Sequence, residues 1–450
     1  MMSMQLSEAA GLLGADLVGA DVRFAGVSTD SRSLEPGNLF VALVGERFDG
    51  HAYLQQAAER GAAAAAVSRE LNPVLPLLRV ADTRRALGEL AGHWRRRFDL
   101  PLVAVTGSNG KTTVKEMTAA ILGVGRRVLA TRGNLNNDIG VPLTLFRLDG
   151  RHQAAVIEMG ANHPGEIALL TGIAAPSVAL ITNAAPAHLA GFGDLAGVAE
   201  AKGEIFAGLG PHGVAVINAD DRFAPRWRAL AAGHEILDFG LEAPAAVSAD
   251  WRPVEAGSEL RLRTPQGRVE LRLPLPGRHN VMNALAATAA ALAAGAGLDE
   301  VQQGLSGLRA VAGRLRFLAG RQGARLIDDS YNANPASLGA ALEVLRAQPG
   351  EHWLVLGEMG ELGGDARALH AEAGRQARAS GVSRLFGLGP LAAEAVRAFG
   401  AGARMYDALD ALLEDLGAAL DPDKTVLVKG SRSMRMERVV EALAAEGGSD

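Results

Sequence analysis

The residues best equipped for chemistry in this 450-residue chain form one short string, Thr106-Gly107-Ser108-Asn109-Gly110-Lys111-Thr112-Thr113. It follows an apolar run, residues 102–106, and precedes a stretch with helical spacing. A glycine loop between a buried strand and a helix offers an anion its backbone N–H groups and the positive end of a helix dipole. Lys111 adds a cation for β- and γ-phosphate charge, and the Thr112 hydroxyl is a ligand for magnesium. The chemistry expected is nucleotide binding with phosphoryl transfer. The strict pattern G-x-x-x-x-G-K-[ST] requires glycine at 105, where this chain has valine. A plain glycine turn is the alternative reading, but it leaves Lys-Thr-Thr without a purpose.

Other candidates lie further along. Glu158 closes an apolar run, residues 154–158, and so sits at the sheet edge where ligands bind. It is a hard oxygen ligand for magnesium or, more plainly, a solvated strand-end carboxylate. His188 follows another strand end at the same rim and otherwise reads as an ordinary loop histidine. By composition Lys202 is a solvated helix lysine with Glu200 and Glu204 as surface partners. Asn280 and Asn283 share one helix face, where asparagine is a poor helix former and a polar task is expected. Arg314 and Asp329 read as ligand contacts or as salt-bridge partners at a domain junction. Ser28, Asp30, Ser31, Arg32, Asp49 and His51 are turn and cap residues, among which the Arg32 guanidinium suits a diphosphate.

The elements that must position these residues fall into three parts. Residues 1–81 contain apolar runs at 39–44 and 62–67 around a helical stretch, 51–60, and read as a small α/β domain without a phosphate loop. Residues 82–312 begin with a helix, 82–97, capped by Asp82. They continue with buried-strand runs at 102–106, 154–158, 178–182 and 214–218, spaced for βαβ crossovers and a doubly wound parallel sheet. The alternation around Leu260, Leu262, Leu271 and Leu273 predicts a hairpin appended to that sheet. Residues 313–450 repeat the alternation with strands at 325–329, 353–357, 384–387 and 426–429, a Rossmann-like domain in which Pro335 opens a helix capped by Asn334. Gly357-Glu358-Met359-Gly360 lacks the G-x-G start of a dinucleotide fingerprint. The Ala-rich patches at 61–67 and 284–294 are expected to be tightly packed helices.

Composition narrows the function class. With 48% hydrophobic and 21% charged residues the chain can build a large core, and a net charge of -5 without like-charge blocks argues against nucleic-acid binding. There is no cysteine, so metal chemistry must use oxygen or imidazole ligands. The N-terminus has no basic region, and no apolar run approaches the roughly 18 residues a membrane span needs. A cytoplasmic location is expected, without membrane insertion.

The shortened loop T-G-S-N-G-K-T-T resembles that of the Mur ligases and of their relative folylpolyglutamate synthase. The likeness extends to Thr131-Arg132-Gly133-Asn134-Leu135-Asn136-Asn137-Asp138-Ile139-Gly140, Ile157-Glu158-Met159-Gly160-Ala161, 182–189, 201–206, Gly277-Arg278-His279-Asn280-Val281-Met282-Asn283-Ala284 and 328–335. These blocks look like the branch of the Mur ligase family that adds D-alanyl-D-alanine. The resemblance implies a cytoplasmic, ATP- and Mg2+-dependent ligase joining D-alanyl-D-alanine to UDP-N-acetylmuramoyl-tripeptide through an acyl phosphate, and a monomer is expected.

It also implies roles for individual residues. Gly107, Ser108, Asn109, Gly110, Lys111, Thr112 and Thr113 would hold phosphates, Asn280 and Asn283 adenine, and Asp329 ribose. Thr112, Glu158, His188 and Lys202, the last as a carbamate, would hold magnesium, and Arg314 would reach back to the phosphates. Ser28, Asp30, Ser31, Arg32, Asp49 and His51 resemble the UDP-sugar segments, while Asn134, Asn136, Asn137 and Asn332 fall in blocks assigned to substrate. Tyr331 stands where several sister ligases have lysine, and the Asp-Asn-Pro-Arg string expected of a diaminopimelate-adding sister is absent. A sister ligase for a single amino acid and a phosphate-loop ATPase switch are the alternatives.

Overall fold

The expected apolar runs of the middle region become adjacent strands because their side chains are buried on both faces, as a parallel sheet covered by helices requires. The protein is described here by a computed structural model covering residues 2–46, 48–186, 189–254, 257–309 and 312–445. Across the central sheet the order is Glu235–Phe239, Val214–Asn218, Val178–Ile181, Leu102–Thr106, Ala154–Glu158, Val128–Ala130, all parallel. The two edge strands escaped the sequence reading: one has three residues and the other, EILDF, carries two acids. Pairing of Glu158 with Val105 and of Ile181 with Thr106 brings three strand ends to one rim. Strand Leu102–Thr106 has neighbours on both sides that follow it in the chain, so the crevice outside its carboxyl end is where a ligand belongs.

The hairpin exists, but not as an extension of that sheet. Gly257–Thr264 pairs with Gly267–Leu273 on one side and with Ser248–Val254 on the other, in a separate three-stranded antiparallel sheet. Leu260, Leu262, Leu271 and Leu273 share a core with helix Arg278–Ala293, whose alanines allow close approach. An alternating hairpin has one apolar face, and it buries that face against a helix rather than seeking a sheet edge.

In the N-terminal unit the sheet order is Asp16–Val18, Leu77–Arg79, Ala64–Val67, Leu39–Val41, Val27–Ser28. Within the patch at 61–67, expected to be helical, Ala64–Val67 form a strand, since four buried residues between two partners satisfy their backbone groups in the sheet. The helical stretch 51–60 is realised as a 3-10 turn, Gly50–Tyr53, running into helix Leu54–Glu59. Helix Thr83–Arg95 starts as expected, with the Asp82 side chain accepting from the N–H groups of Arg84 and Arg85.

The C-terminal unit has the order Arg316–Ala319, Arg325–Asp329, Lys424–Lys429, Glu351–Gly357, Arg384–Leu388, Ala403–Tyr406, parallel except at its first edge. Helix Pro335–Arg346 opens with proline after an Asn334 cap. The chain is therefore a three-domain α/β protein with parallel sheets. Among the described residues no helix is long and apolar enough to cross a membrane.

Candidate active site

The phosphate loop runs from strand Leu102–Thr106 to helix Lys111–Leu122, and the next strand end clamps it. Ser108 N–H donates to the Asn183 carbonyl (3.0 Å) and Asn109 N–H to Asn183 Oδ1 (3.0 Å). Thr182 Oγ1 donates to the Asn109 carbonyl at 2.6 Å. Two loop N–H groups expected to face an anion are thus used to fix the loop. Those at the helix start lack intrahelical partners, and residues 110–113 line the cavity described below.

Two glycines are required by close approach. Gly107 (φ +144°) would place a Cβ 1.9 Å from Thr182 Oγ1, and Gly110 (φ +80°) would place one 2.4 Å from Asn283 Oδ1. Lys111 Nζ turns back onto the Gly107 carbonyl at 2.7 Å. Desolvation lowers its pKa, opposed by the nearby Glu158 carboxylate and reinforced by Arg314.

A cavity of about 900 Å³ opens at this rim. It is lined by the loop, by Glu158, Asn134, Asn136 and Asn137, by Asn280 and Asn283, and by Arg314, Asp329 and Asn332 from the C-terminal unit. Glu158 is only 3% exposed. Its Oε1 accepts from Asn136 Nδ2 at 2.8 Å, whereas Oε2 is buried without a hydrogen-bond partner among the described residues. Such an orphaned anionic oxygen is costly unless a ligand meets it. Asn280 Nδ2 donates to the Pro276 carbonyl and Asn283 Nδ2 to Asn280 Oδ1 (3.3 Å). The C-terminal unit touches the loop directly: Arg314 Nη2 donates to Thr112 Oγ1 (2.9 Å), and Asn334 Nδ2 to Asn109 Oδ1 (2.7 Å).

Lys202 overturns the plain surface reading. It is 2% exposed, and its ammonium stands 5.3 Å from the centroid of the Phe192 ring. The expected acidic partners are engaged elsewhere, Glu200 with Arg226 (2.6 Å) and Glu204 with the N–H groups of Gly165 and Ala168. Burial, reinforced by the Lys111 charge, pushes the Lys202 pKa down to about 7. His188 lies outside the described residues. Among the described residues no group of three or more His, Asp and Glu is arranged to hold a metal ion. The oxygen donors at the loop are instead the Thr112 hydroxyl and the unmet Glu158 Oε2.

Sequence reasoning missed several lining residues. His279 has a buried Nδ1 without a partner among the described residues, and burial, with Lys429 nearby, lowers its pKa to about 4. Lys429 pairs with the buried Asp329 and also donates to the Asn332 carbonyl (2.9 Å). Burial raises the Asp329 pKa against the pull of that ammonium. Thr182, Asn183 and Lys429 all end or follow strands, and strand-end position was the signal that could have found them.

The N-terminal candidates do not line this cavity. Asp30 holds Arg32 through a two-point contact (2.8 and 2.9 Å), which drops the Asp30 pKa to about 2. Ser28 Oγ accepts from Asp30 N–H, and Ser31 Oγ donates to Gln56 Oε1 at 2.6 Å. His51 is turned inward: Nδ1 meets Asp49 (2.6 Å) and Nε2 accepts from Ser68 N–H (3.0 Å). Asp49 is further paired with Arg69 at 2.7 Å.

Comparison with known proteins completes this picture. Three family models match, described as Mur ligase family, catalytic domain (residues 23–95), Mur ligase middle domain (105–291) and Mur ligase, glutamate ligase domain (313–432). A relative from Escherichia coli (strain K12), UDP-N-acetylmuramoyl-tripeptide--D-alanyl-D-alanine ligase, is 47% identical over 99% of this chain and 100% of that protein. The crystal structure of MurF from Acinetobacter baumannii superimposes with a TM-score of 0.93 at 37% identity, covering 98% of each chain. MurF from Thermotoga maritima, solved in complex with ADP, gives 0.83 at 28% identity, covering 93% of this chain and 96% of that one. The chain belongs to the Mur ligase family.

Proposed function

We propose that this protein joins D-alanyl-D-alanine to UDP-N-acetylmuramoyl-tripeptide at the expense of ATP, supplying the pentapeptide precursor of peptidoglycan, and that it acts as a cytoplasmic monomer. The observation that carries this reading is 47% identity over 99% of this chain to the E. coli ligase of that name. Residues 1–81 hold the UDP-sugar, 82–312 the nucleotide, and 313–450 close over both. The terminal carboxylate of the tripeptide attacks the γ-phosphorus, the bond to ADP breaks, and an acyl phosphate forms. The amine of D-alanyl-D-alanine then attacks the acyl carbon, a C–N bond forms, inorganic phosphate leaves, and the nitrogen gives up its proton.

Lys111 and Arg314 meet charge that grows on the transferred group, the kind of fixed electrostatic contact that favours a transition state. The loop residues 107–113 hold phosphates, Asn280 and Asn283 bind adenine, and Asp329 binds ribose. Asn134, Asn136, Asn137 and Asn332 orient substrate. In the N-terminal unit Arg32 is the diphosphate contact, while Ser28, Asp30, Ser31, Asp49 and His51 shape the turns around it. Support for that division comes from exposure, since Arg32 is open to solvent whereas both His51 ring nitrogens are occupied.

Magnesium would be held by Thr112 Oγ1, Glu158, His188 and Lys202 as a carbamate, a reading supported by the buried Glu158 Oε2, which has no hydrogen-bond partner among the described residues. When bound, magnesium neutralises phosphate charge. A neutral Lys202 amine adds to carbon dioxide and loses a proton, which converts a cation into a carboxylate-like anion. Its depressed pKa and buried position support this, because a useful fraction of the amine is neutral near pH 7.

The test is phosphate release by purified protein with ATP and magnesium, given each pairing of UDP-muramoyl peptide with D-amino acid or dipeptide. Release is expected only with the tripeptide nucleotide and D-alanyl-D-alanine together. Equal release with D-glutamate on a shorter precursor would end the specific assignment, and acceptor-independent release would favour an ATPase switch.

A further inference from the structure

Arg314 reaches the Thr112 hydroxyl from the segment after residue 312, and neither helix nor strand holds it in place. Its backbone neighbours are both left-handed, Gly313 at φ +76° and Leu315 at φ +50°. A left-handed leucine is strained, and such a conformation persists only where surrounding contacts over-determine it. Those contacts come from the end of strand Arg325–Asp329 and from the turn that follows it. Gly313 N–H donates to Asp328 Oδ2 (2.8 Å), and Tyr331 N–H donates to the Gly313 carbonyl (3.1 Å). The backbones touch so closely that a Cβ on Gly313 would sit 3.0 Å from Tyr331 Cβ. The Arg314 guanidinium carbon then lies 4.5 Å from the centroid of the Tyr331 ring, and that of Arg432 lies 5.6 Å from the same centroid.

A guanidinium at that distance from an aromatic ring is attracted by the ring's quadrupole, and its orientation is restricted. A long side chain with several free torsions would otherwise spread over many rotamers and reach the phosphate end of the cavity only part of the time. We propose that Tyr331 is a positioning residue for the ligase reaction, its ring fixing Arg314 against the phosphate loop. The proposal rests on the assignment of Arg314 to the nucleotide phosphates. It gives Tyr331 a task on the protein side of the cavity, with the ring face as the working feature and the hydroxyl dispensable.

Three single variants and two double variants test it, each checked for an unaltered thermal unfolding midpoint. Wild-type phosphate release is measured first: its absence overturns the ligase reading itself. With an active wild type, Tyr331→Phe keeps kcat/KM for ATP within about twofold, because the ring face remains. Tyr331→Leu, of similar bulk without a π face, loses about 10-fold, the size of one partly desolvated cation–π contact. Arg314→Ala loses more, and Tyr331→Leu added to Arg314→Ala causes no further loss, because the ring then has nothing to position. Equal activities of the Phe and Leu variants, or losses that multiply in the double variant, would overturn the proposal. Should Tyr331→Leu not fold, Arg314→Ala compared with Arg314→Ala/Tyr331→Phe decides: a further loss from removing only the hydroxyl would show that the hydroxyl has a task of its own and would overturn the proposal.

Discussion

The rim of the central sheet and the turns of the N-terminal unit carry similar polar residues in opposite states. Around the phosphate loop polar groups are buried and incompletely met: among the described residues Glu158 keeps one oxygen without a hydrogen-bond partner and His279 one ring nitrogen, and Lys202 is buried against an aromatic ring. In the N-terminal unit Asp30 closes on Arg32, Asp49 on His51 and Arg69, and Ser31 on Gln56, mostly at the surface. Burying an unmet polar or charged group is costly, so a rim that tolerates such groups is suited to a ligand that meets them. Self-satisfied surface pairs carry no such mark. Polarity alone therefore says little about a site; polarity left unsatisfied at a strand edge says much.

The largest effect that would break this contrast is at Lys111. Lys111→Ala deletes a cation that meets phosphate charge, and turnover in the phosphate-release assay is expected to fall by about 100-fold or more. Its Nζ bonds only loop carbonyls among the described residues, so the unfolding midpoint is expected to hold. Unfolding without a specific loss of activity would make the residue structural.

Lys202→Ala sharpens the contrast next. A metal-holding carbamate predicts a collapse of activity in a folded protein, partly restored by added formate or acetate, with Lys111→Ala unaffected by either. A buried lysine with only a packing role predicts lowered stability and retained turnover. An inactive, folded variant that no small carboxylate improves would leave the carbamate unsupported.

The smallest effects are on stability against pH. His279, with its folded pKa near 4, binds fewer protons than in the unfolded chain between pH 6.5 and 4, so stability must fall as pH falls through that window. The expected loss is about 1–2 kcal/mol at pH 5 relative to pH 7.5, read by urea unfolding and removed in His279→Gln. Asp30, lowered to about 2 by Arg32, stabilises above its unfolded pKa and loses that contribution as pH falls from about 4 toward 2. This pair is solvent-screened, so Arg32→Ala is expected to change stability only slightly, and less than His279→Gln. A large effect at Arg32 and none at His279 would reverse the comparison.

Much was legible in the sequence for local reasons. The strand–loop–helix around Lys111, the Asp82 and Asn334 caps and the long buried strands are set by apolar runs and neighbouring side chains, and they form where expected. The phosphate-binding chemistry was likewise readable from residue types at fixed spacing.

What tertiary structure alone decided depends on contacts between distant segments. Ala64–Val67 became a strand because two partner strands flank them, and the hairpin became a separate sheet because helix Arg278–Ala293 accepted its apolar face. Lys202 reads as solvated from Glu200 and Glu204, yet those acids bond elsewhere and Phe192 covers the amine. Asn183 clamps the loop from another strand end, and Tyr331 meets Arg314 only because the turn after residue 329 folds back on Gly313. Spacing along the chain fixes which side chains share an element; burial, pairing and pKa arise from elements brought together in three dimensions, and those decide which polar residues are left waiting for a ligand.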